Sequence, residues 1–354
     1  MINTHINPLD RAIIDKARIR VDSLSKPLGS LGKLEDYAVQ LAGIRGKIGG
    51  TLKNRVVLVF AADNGIHAQG ITPVPKAVTP MQSINIANGI AGVNVLAKAS
   101  DTKVLIYNVG IEPPIVHPNI INVNVMRGTK DISTGPAMSR EQCEFAMQVG
   151  FDAVAKNLDM DIFGLGEMGI CNTSTTAAVA AVLLGQPAEV LTGKGAGITD
   201  EQYALKTEII NRAIRINNPD KNDVVDVLSK VGGLDIAAMT GAYIACAHYA
   251  KPVVIDGFIS ACAALCAVKI APLCKEYLFA SHKSFEQGYV HIMDEIGISP
   301  AFTLEMRLGE GSGCPLMFHI LESSLHIISE MGTFEQGNIN PDDYIDLRKK
   351  KVSS

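Results

Sequence analysis

Residues 55–65, RVVLVFAADNG, set seven apolar side chains in unbroken succession and end on an acid, an amide and a glycine. A strand that is apolar at every position, instead of at alternate ones, is buried on both faces, which is the habit of parallel sheets. The pattern recurs at KVLIYNVG (103–110), DIFGLG (161–166) and PVVIDG (252–257), each a short apolar run closing on glycine. Longer helical periodicities lie around these runs, at 79–99, 139–156, 199–217 and 284–296. The alternation predicts an α/β fold: a mostly parallel, Rossmann-like sheet with helices on both faces. Residues 9–50 read as helices joined by the Gly/Pro break SKPLGSLGKLE. The expected organisation is a large α/β domain over 51–319, with a smaller helical part built from 1–50 and 320–354.

The chain has 354 residues, 47% hydrophobic and 19% charged, enough apolar matter for a large core and too much for disorder. A net charge of -4 leaves no general basic field for nucleic acid, so the expected partner is a small molecule. MINTHINPLDRAIIDKARIR lacks the apolar core of a secretion signal, and His248, Lys251, Asp256 and Lys269 interrupt the apolar stretch 236–273 before it could span a bilayer. A soluble, cytoplasmic protein is expected. The seven cysteines include no C-x-x-C and read as reduced core thiols. Cys262 and Cys266 could share a helix face, but no adequate His/Cys set accompanies them, and no metal site is expected.

Open parallel sheets bind ligands beyond the carboxyl ends of their strands. Asp63, Glu167 and Asp256 fall at such ends, and Glu310 follows the run AFTLEM in MRLGEGSGCPL (306–316), so four carboxylates are expected to approach one crevice. FGLGEMGICNTST leads from a strand through three glycines into Asn172, Thr173, Ser174 and Thr175, then an alanine-rich helix. Such a segment suits a phosphate at a positive helix end, and ordinary N-capping explains it too. Residues 164–169 also match G-x-G-x-x-G, with Glu189 where a ribose-binding acid would stand, which raises a dinucleotide-dependent oxidoreductase. Against it, Glu167 puts an anion inside the loop meant for pyrophosphate, and no second mononucleotide half is visible. TGKGAGITDEQYALK offers Lys194 and Lys206 to an anion beside a capping-box pattern. No G-x-x-x-x-G-K-[ST], H-E-x-x-H or G-x-S-x-G occurs.

The segments KPLGSLGKLE, AADNGI, VTPMQSIN, GPAMSREQ, FGLGEMGICNTST, DVLSKVGGLDIAAMTGA, PVVIDGFISACAA, SHKSFEQG and MRLGEGSG stand in this order between about residues 20 and 332. Together they resemble the nicotinate-nucleotide:dimethylbenzimidazole phosphoribosyltransferases of the lower-ligand branch of cobamide synthesis. The resemblance implies transfer of 5-phosphoribose from nicotinate mononucleotide to an aromatic acceptor, with inversion to the α configuration and release of nicotinate. It implies that Glu310 is the catalytic base and Glu167 the second active-site glutamate, either stabilising positive charge on the ribose or holding its hydroxyls. It places Gln82 at the acceptor pocket, and Met168, Gly169, Asn172, Gly195, Lys206, Ser284, Leu308 and Gly309 at the substrates. It implies no cofactor, and a homodimer or a heterodimer with a paralogous subunit.

The implied chemistry suits these residues. Breaking the bond to a pyridinium discharges a cation on the leaving ring, so that side needs no acid. A carboxylate that takes the acceptor's proton is worth about 10²- to 10⁴-fold. Two positions depart from the family's pattern: Asn64 stands where histidine is common, and Val74 where a benzimidazole-using relative carries serine. These departures leave open a purine or phenol acceptor in place of a benzimidazole. A non-catalytic paralogue is the other alternative.

Overall fold

The structure is a computed structural model and describes residues 2–194 and 197–349. Six strands form one sheet: β1 (Arg55–Ala62), β2 (Thr102–Gly110), β3 (Ile120–Asn122), β4 (Ile162–Met168), β5 (Val253–Ile255) and β6 (Leu278–Ala280). Their order is β3-β2-β1-β4-β5-β6 and every pairing is parallel. The order reverses between β1 and β4, which run side by side from Arg55↔Ile162 to Ala61↔Met168. A doubly wound sheet opens its crevice at that reversal, because the connections on either side leave in opposite directions. All but the first residue of β1 is buried, as its unbroken apolar run requires.

The helices are α1 (Arg11–Asp22), α2 (Lys33–Arg45), α3 (Val78–Ala87), α4 (Gly92–Ala99), α5 (Arg140–Ala155), α6 (Asn172–Leu184) and α7 (Ala188–Leu191). They continue with α8 (Asp200–Asn217), α9 (Val224–Val231), α10 (Leu234–His248), α11 (Phe258–Ile270), α12 (Gly288–Ile296) and α13 (Gly313–Glu330). Helices cover both faces of the sheet: α10 packs on β1, β2 and β4, and α13 on β1, β4 and β5. Helix α10 is buried along almost its whole length and crosses α5 backbone to backbone, Gly241 facing Met147 and Gly150 facing Ala238. Capping boxes start α5 at Ser139/Gln142 and α8 at Thr199/Gln202, the latter within the TDEQ read from the sequence.

Two local expectations are corrected. The periodicity over 79–99 is two helices, because the chain turns at Asn88–Ile90 with Gly89 at φ +77°. The run AFTLEM is not a strand: a single bridge joins Phe302 to His282, scattered backbone bonds such as Phe285 N–H to Met306 O at 3.1 Å tie the rest to residues 280–285, and Leu304 is exposed. Strands β3 and β6 were not foreseen, because neither Ile120–Asn122 nor Leu278–Ala280 is an apolar run closing on glycine. The break KPLGSLGKLE turns out to be tied by a buried ion pair, Lys26 to Glu35 at 2.8 Å. Away from the sheet, Ala17, Val21, Ala38, Val39, Ala42 and Ile328 form a second, smaller core where α1 and α2 meet the far end of α13.

Candidate active site

At the carboxyl ends of β1, β4 and β5 a cavity of about 320 Å³ is walled by the loop after β4, the start of α6, residues 256–260, 282–286 and 307–310. Ten residues that the resemblance assigns to the site line it together: Gln82, Glu167, Met168, Gly169, Asn172, Lys206, Ser284, Leu308, Gly309 and Glu310; Asp256, expected in the crevice, lines it too. Gly195 lies outside the described residues.

Glu310 occupies the most constrained backbone in the site. Gly309, Glu310 and Gly311 follow one another at φ +84°, +64° and +81°. The left-handed region costs a residue with a Cβ about 1–2 kcal/mol, so surrounding contacts must hold Glu310 there. Its neighbours must also be glycine-like in size, for a Cβ on Gly166 of β4 would strike the Glu310–Gly311 peptide and one on Gly309 would strike Glu167. The buried carboxylate of Glu310 accepts from Gln82 Nε2 at 2.6 Å and from the backbone N–H of Val93, in the first turn of α4, at 3.2 Å. Both donors are neutral, so among the described residues no cation occupies the carboxylate.

Glu167 accepts a hydrogen bond from Asn172 Nδ2, which also donates to Asp235 Oδ2 at 3.3 Å. Burial, with Asp235, Asp256 and Glu310 nearby, pushes the Glu167 carboxyl well above its ordinary range. Burial also raises Asp235 to about 6 and Asp256 to about 7. Asp235 is the acid the sequence reading missed, because GGLDIAAM reads as a helix start. Asp63, expected in the crevice, is not at the cavity; it accepts from the backbone N–H of Glu112 at 2.9 Å. Asp235 stands behind Asn172 and not in the cavity wall, whereas His282, also unforeseen, lines it; burial lowers His282 to about 4 and so keeps it neutral.

The other end of the cavity is built around the start of α6. Its N-cap, Cys171, has φ +72° and no side-chain cap, while the Asn172 amide is turned onto the carboxyls, so the N-capping reading of CNTST does not hold. Lys206 is buried with Nζ on Thr173 Oγ1 and Gly193 O, both at 3.0 Å, and burial lowers its pKa. Lys194, also in the cavity wall, is exposed and pairs with Asp200 at 2.7 Å. The G-x-G-x-x-G reading has no loop to act on: Gly164 and Gly166 lie inside β4, where added side chains would strike α13 and the Glu310 turn. Of the two departures from the family pattern, Val74 lines the cavity, whereas Asn64 does not and donates to Ile170 O. All seven cysteines are free thiols, and Cys262 lies against Thr176 O in the core. Among the described residues no helix is long and apolar enough to cross a membrane.

A doubly wound parallel sheet with buried carboxyls and a buried lysine around one cavity is the frame of an enzyme site, and comparison with known proteins gives the class. The family described as "Phosphoribosyltransferase" matches residues 6–339. A nicotinate-nucleotide–dimethylbenzimidazole phosphoribosyltransferase of Clostridium perfringens is 44% identical over 337 residues, covering 95% of this chain and 93% of the relative. One from Ruminiclostridium cellulolyticum is 45% identical over 336 residues, 94% of this chain and 96% of the relative. The crystal structure of the Thermus thermophilus enzyme of that name superposes with a TM-score of 0.89 at 34% identity, covering 94% of this chain and 99% of the other. The chain belongs to the nicotinate-nucleotide–dimethylbenzimidazole phosphoribosyltransferase family and is a pentosyltransferase.

Proposed function

We propose that the protein transfers 5-phosphoribose from nicotinate mononucleotide to an aromatic lower-ligand base, releasing nicotinate and inverting the anomeric carbon, with Glu310 as general base. The observation that carries this reading is the Glu310 carboxylate itself: buried in the cavity, held by two neutral donors and paired with no cation among the described residues. The bond from the ribose C1′ to the pyridinium nitrogen breaks with its electron pair going to the ring, which leaves neutral at that nitrogen. The acceptor's nitrogen or oxygen bonds to C1′ from the opposite face, and its proton passes to Glu310.

Glu167 is suited to the ribose. Burial and the neighbouring carboxyls raise its pKa, which favours the form that donates to a ribose hydroxyl; positive charge growing on the sugar lowers that pKa and favours the charged form, an electrostatic partner. Lys206, Ser284 and the start of α6 hold the phosphate, and a dianion there favours the charged form of the buried lysine against the burial that lowers its pKa. On the acceptor side Gln82 is flanked in the cavity by Ile71, Thr72 and Val74, a wall that favours a flat apolar ring. A benzimidazole follows the family; a purine or a phenol follows from Val74, which removes a hydroxyl that would meet a ring nitrogen. The exposed side chains Met81, Ile84, Ile90 and Val95 of the α3–α4 segment support assembly as a homodimer or with a paralogous subunit. The intact seat of Glu310 favours the catalytic copy over a non-catalytic paralogue.

The test is to incubate the protein with nicotinate mononucleotide and a panel of benzimidazoles, purines and phenols, then identify the riboside phosphate formed by mass and anomeric configuration. If no acceptor releases nicotinate, alone or with a paralogous subunit present, the reading is wrong.

A further inference from the structure

Asp256 follows β5 directly and is almost completely buried. Its Oδ1 accepts the backbone N–H of Gly313 at 2.6 Å and its Oδ2 that of Gly311 at 3.1 Å. The Gly311 nitrogen belongs to the same peptide plane as the Glu310 carbonyl. Any rotation of Glu310 that relaxes its left-handed backbone must therefore turn the Gly311 N–H away from Asp256. Among the described residues the far side of the carboxyl has no cation: His282 Nδ1 is 3.8 Å from Oδ1, and burial keeps that ring neutral. Asp256 is fixed in turn, since its own N–H donates to Ser260 Oγ at 3.1 Å and its carbonyl accepts from Ser281 Oγ at 3.1 Å.

We infer that Asp256 is a positioning residue of the reaction: its carboxylate clamps the Gly311 and Gly313 amides and thereby keeps the Glu310 side chain directed into the cavity. The inference rests on the reading of Glu310 as the base. Asp256 takes no proton from the acceptor and contributes only through Glu310. Asparagine at this position keeps the shape but sets an amide nitrogen against one of the two backbone donors.

The experiment is a double-mutant cycle between Asp256→Asn and Glu310→Gln, read as kcat and KM for nicotinate release from nicotinate mononucleotide with a fixed acceptor. Leaving one buried backbone donor opposed by an amide predicts a fall in kcat of about 10- to 100-fold for Asp256→Asn, with KM for nicotinate mononucleotide within about threefold of the parent. In the Glu310→Gln background the same change produces no further fall. The inference is overturned if Asp256→Asn leaves kcat intact, if it raises KM alone, or if its effect multiplies with that of Glu310→Gln, which would make Asp256 an independent contact to substrate. Full activity of Glu310→Gln by itself would instead refute the assignment of the base. Should Asp256→Asn melt too low for assay, Asp256→Ser, which removes the carboxylate without opposing an N–H, goes through the same cycle with the same outcomes.

Discussion

Replacing Glu310 with glutamine separates chemistry from structure in this site, because the geometry fixes what each would lose. The carboxylate accepts two hydrogen bonds, from Gln82 Nε2 and Val93 N–H. A glutamine has one acceptor oxygen. The Val93 donor is backbone and cannot turn, so that oxygen will face it, and the new NH₂ will face Gln82. Gln82 cannot simply flip to receive it, because its Oε1 already accepts from Asn85 Nδ2 at 2.9 Å. The expected structural cost is therefore one hydrogen bond, about 1 kcal/mol. The chemical cost is the general base, about 10²- to 10⁴-fold in rate or roughly 3–5.5 kcal/mol of barrier. The assay is steady-state nicotinate release with acceptor saturating, alongside urea denaturation of the same preparation. The expected result is a collapse of kcat with KM for nicotinate mononucleotide little changed and a denaturation midpoint close to the parent's. A variant that keeps a tenth or more of kcat while remaining folded refutes Glu310 as the base.

Lys206→Met should raise KM for nicotinate mononucleotide about 10- to 100-fold with a smaller effect on kcat, since a charge-assisted contact to phosphate is removed; an unchanged KM places the phosphate elsewhere. Gly241→Ala forces a methyl into the Met147 backbone at the α5–α10 crossing and should lower unfolding stability by about 3 kcal/mol or more, seen as a reduced urea midpoint; near-neutral stability would show that the helices can separate. Asp235 carries a pH signature. Its folded pKa, about 6, lies above the ordinary 3.8, so the unfolded chain ionises first and the group costs stability progressively as pH rises from about 4 to 6. The stability of Asp235→Asn relative to the parent should climb across that window and level off above it, measured by urea midpoints at a series of pH values. A constant difference contradicts the raised pKa.

The sheet was legible because parallel strands buried on both faces leave unbroken apolar runs, and β1, β2, β4 and β5 all left one. Strands β3 and β6 were not: Ile120–Asn122 is apolar at only two positions, and Leu278–Ala280 runs into Ser281 without the closing glycine that marked the other runs. Glu310 could be named from its motif, but its backbone strain, its two donors and the Asp256 clamp depend on chain segments that meet only in three dimensions. The same is true of Asp235. In sequence it reads as a first-turn acid of α10, and only the fold brings Asn172 between it and Glu167. Asp63 erred in the opposite direction: it has the right position at the end of β1, yet the chain after β2 returns to take its carboxylate.

The second core, shared by α1 and α2 with the far end of α13, sets an order for how the protein is made. The ribosome must add most of the chain between Arg45 and Gly313, which at ~5–20 residues per second takes on the order of tens of seconds. Until Ile328 emerges, the sides of α1 and α2 carrying Ala17, Val21, Ala38 and Val39 lack their cover. The first helices to be synthesised are thus among the last to be finished, and a nascent chain stalled before α13 presents an apolar N-terminal hairpin to whatever chaperone is at hand.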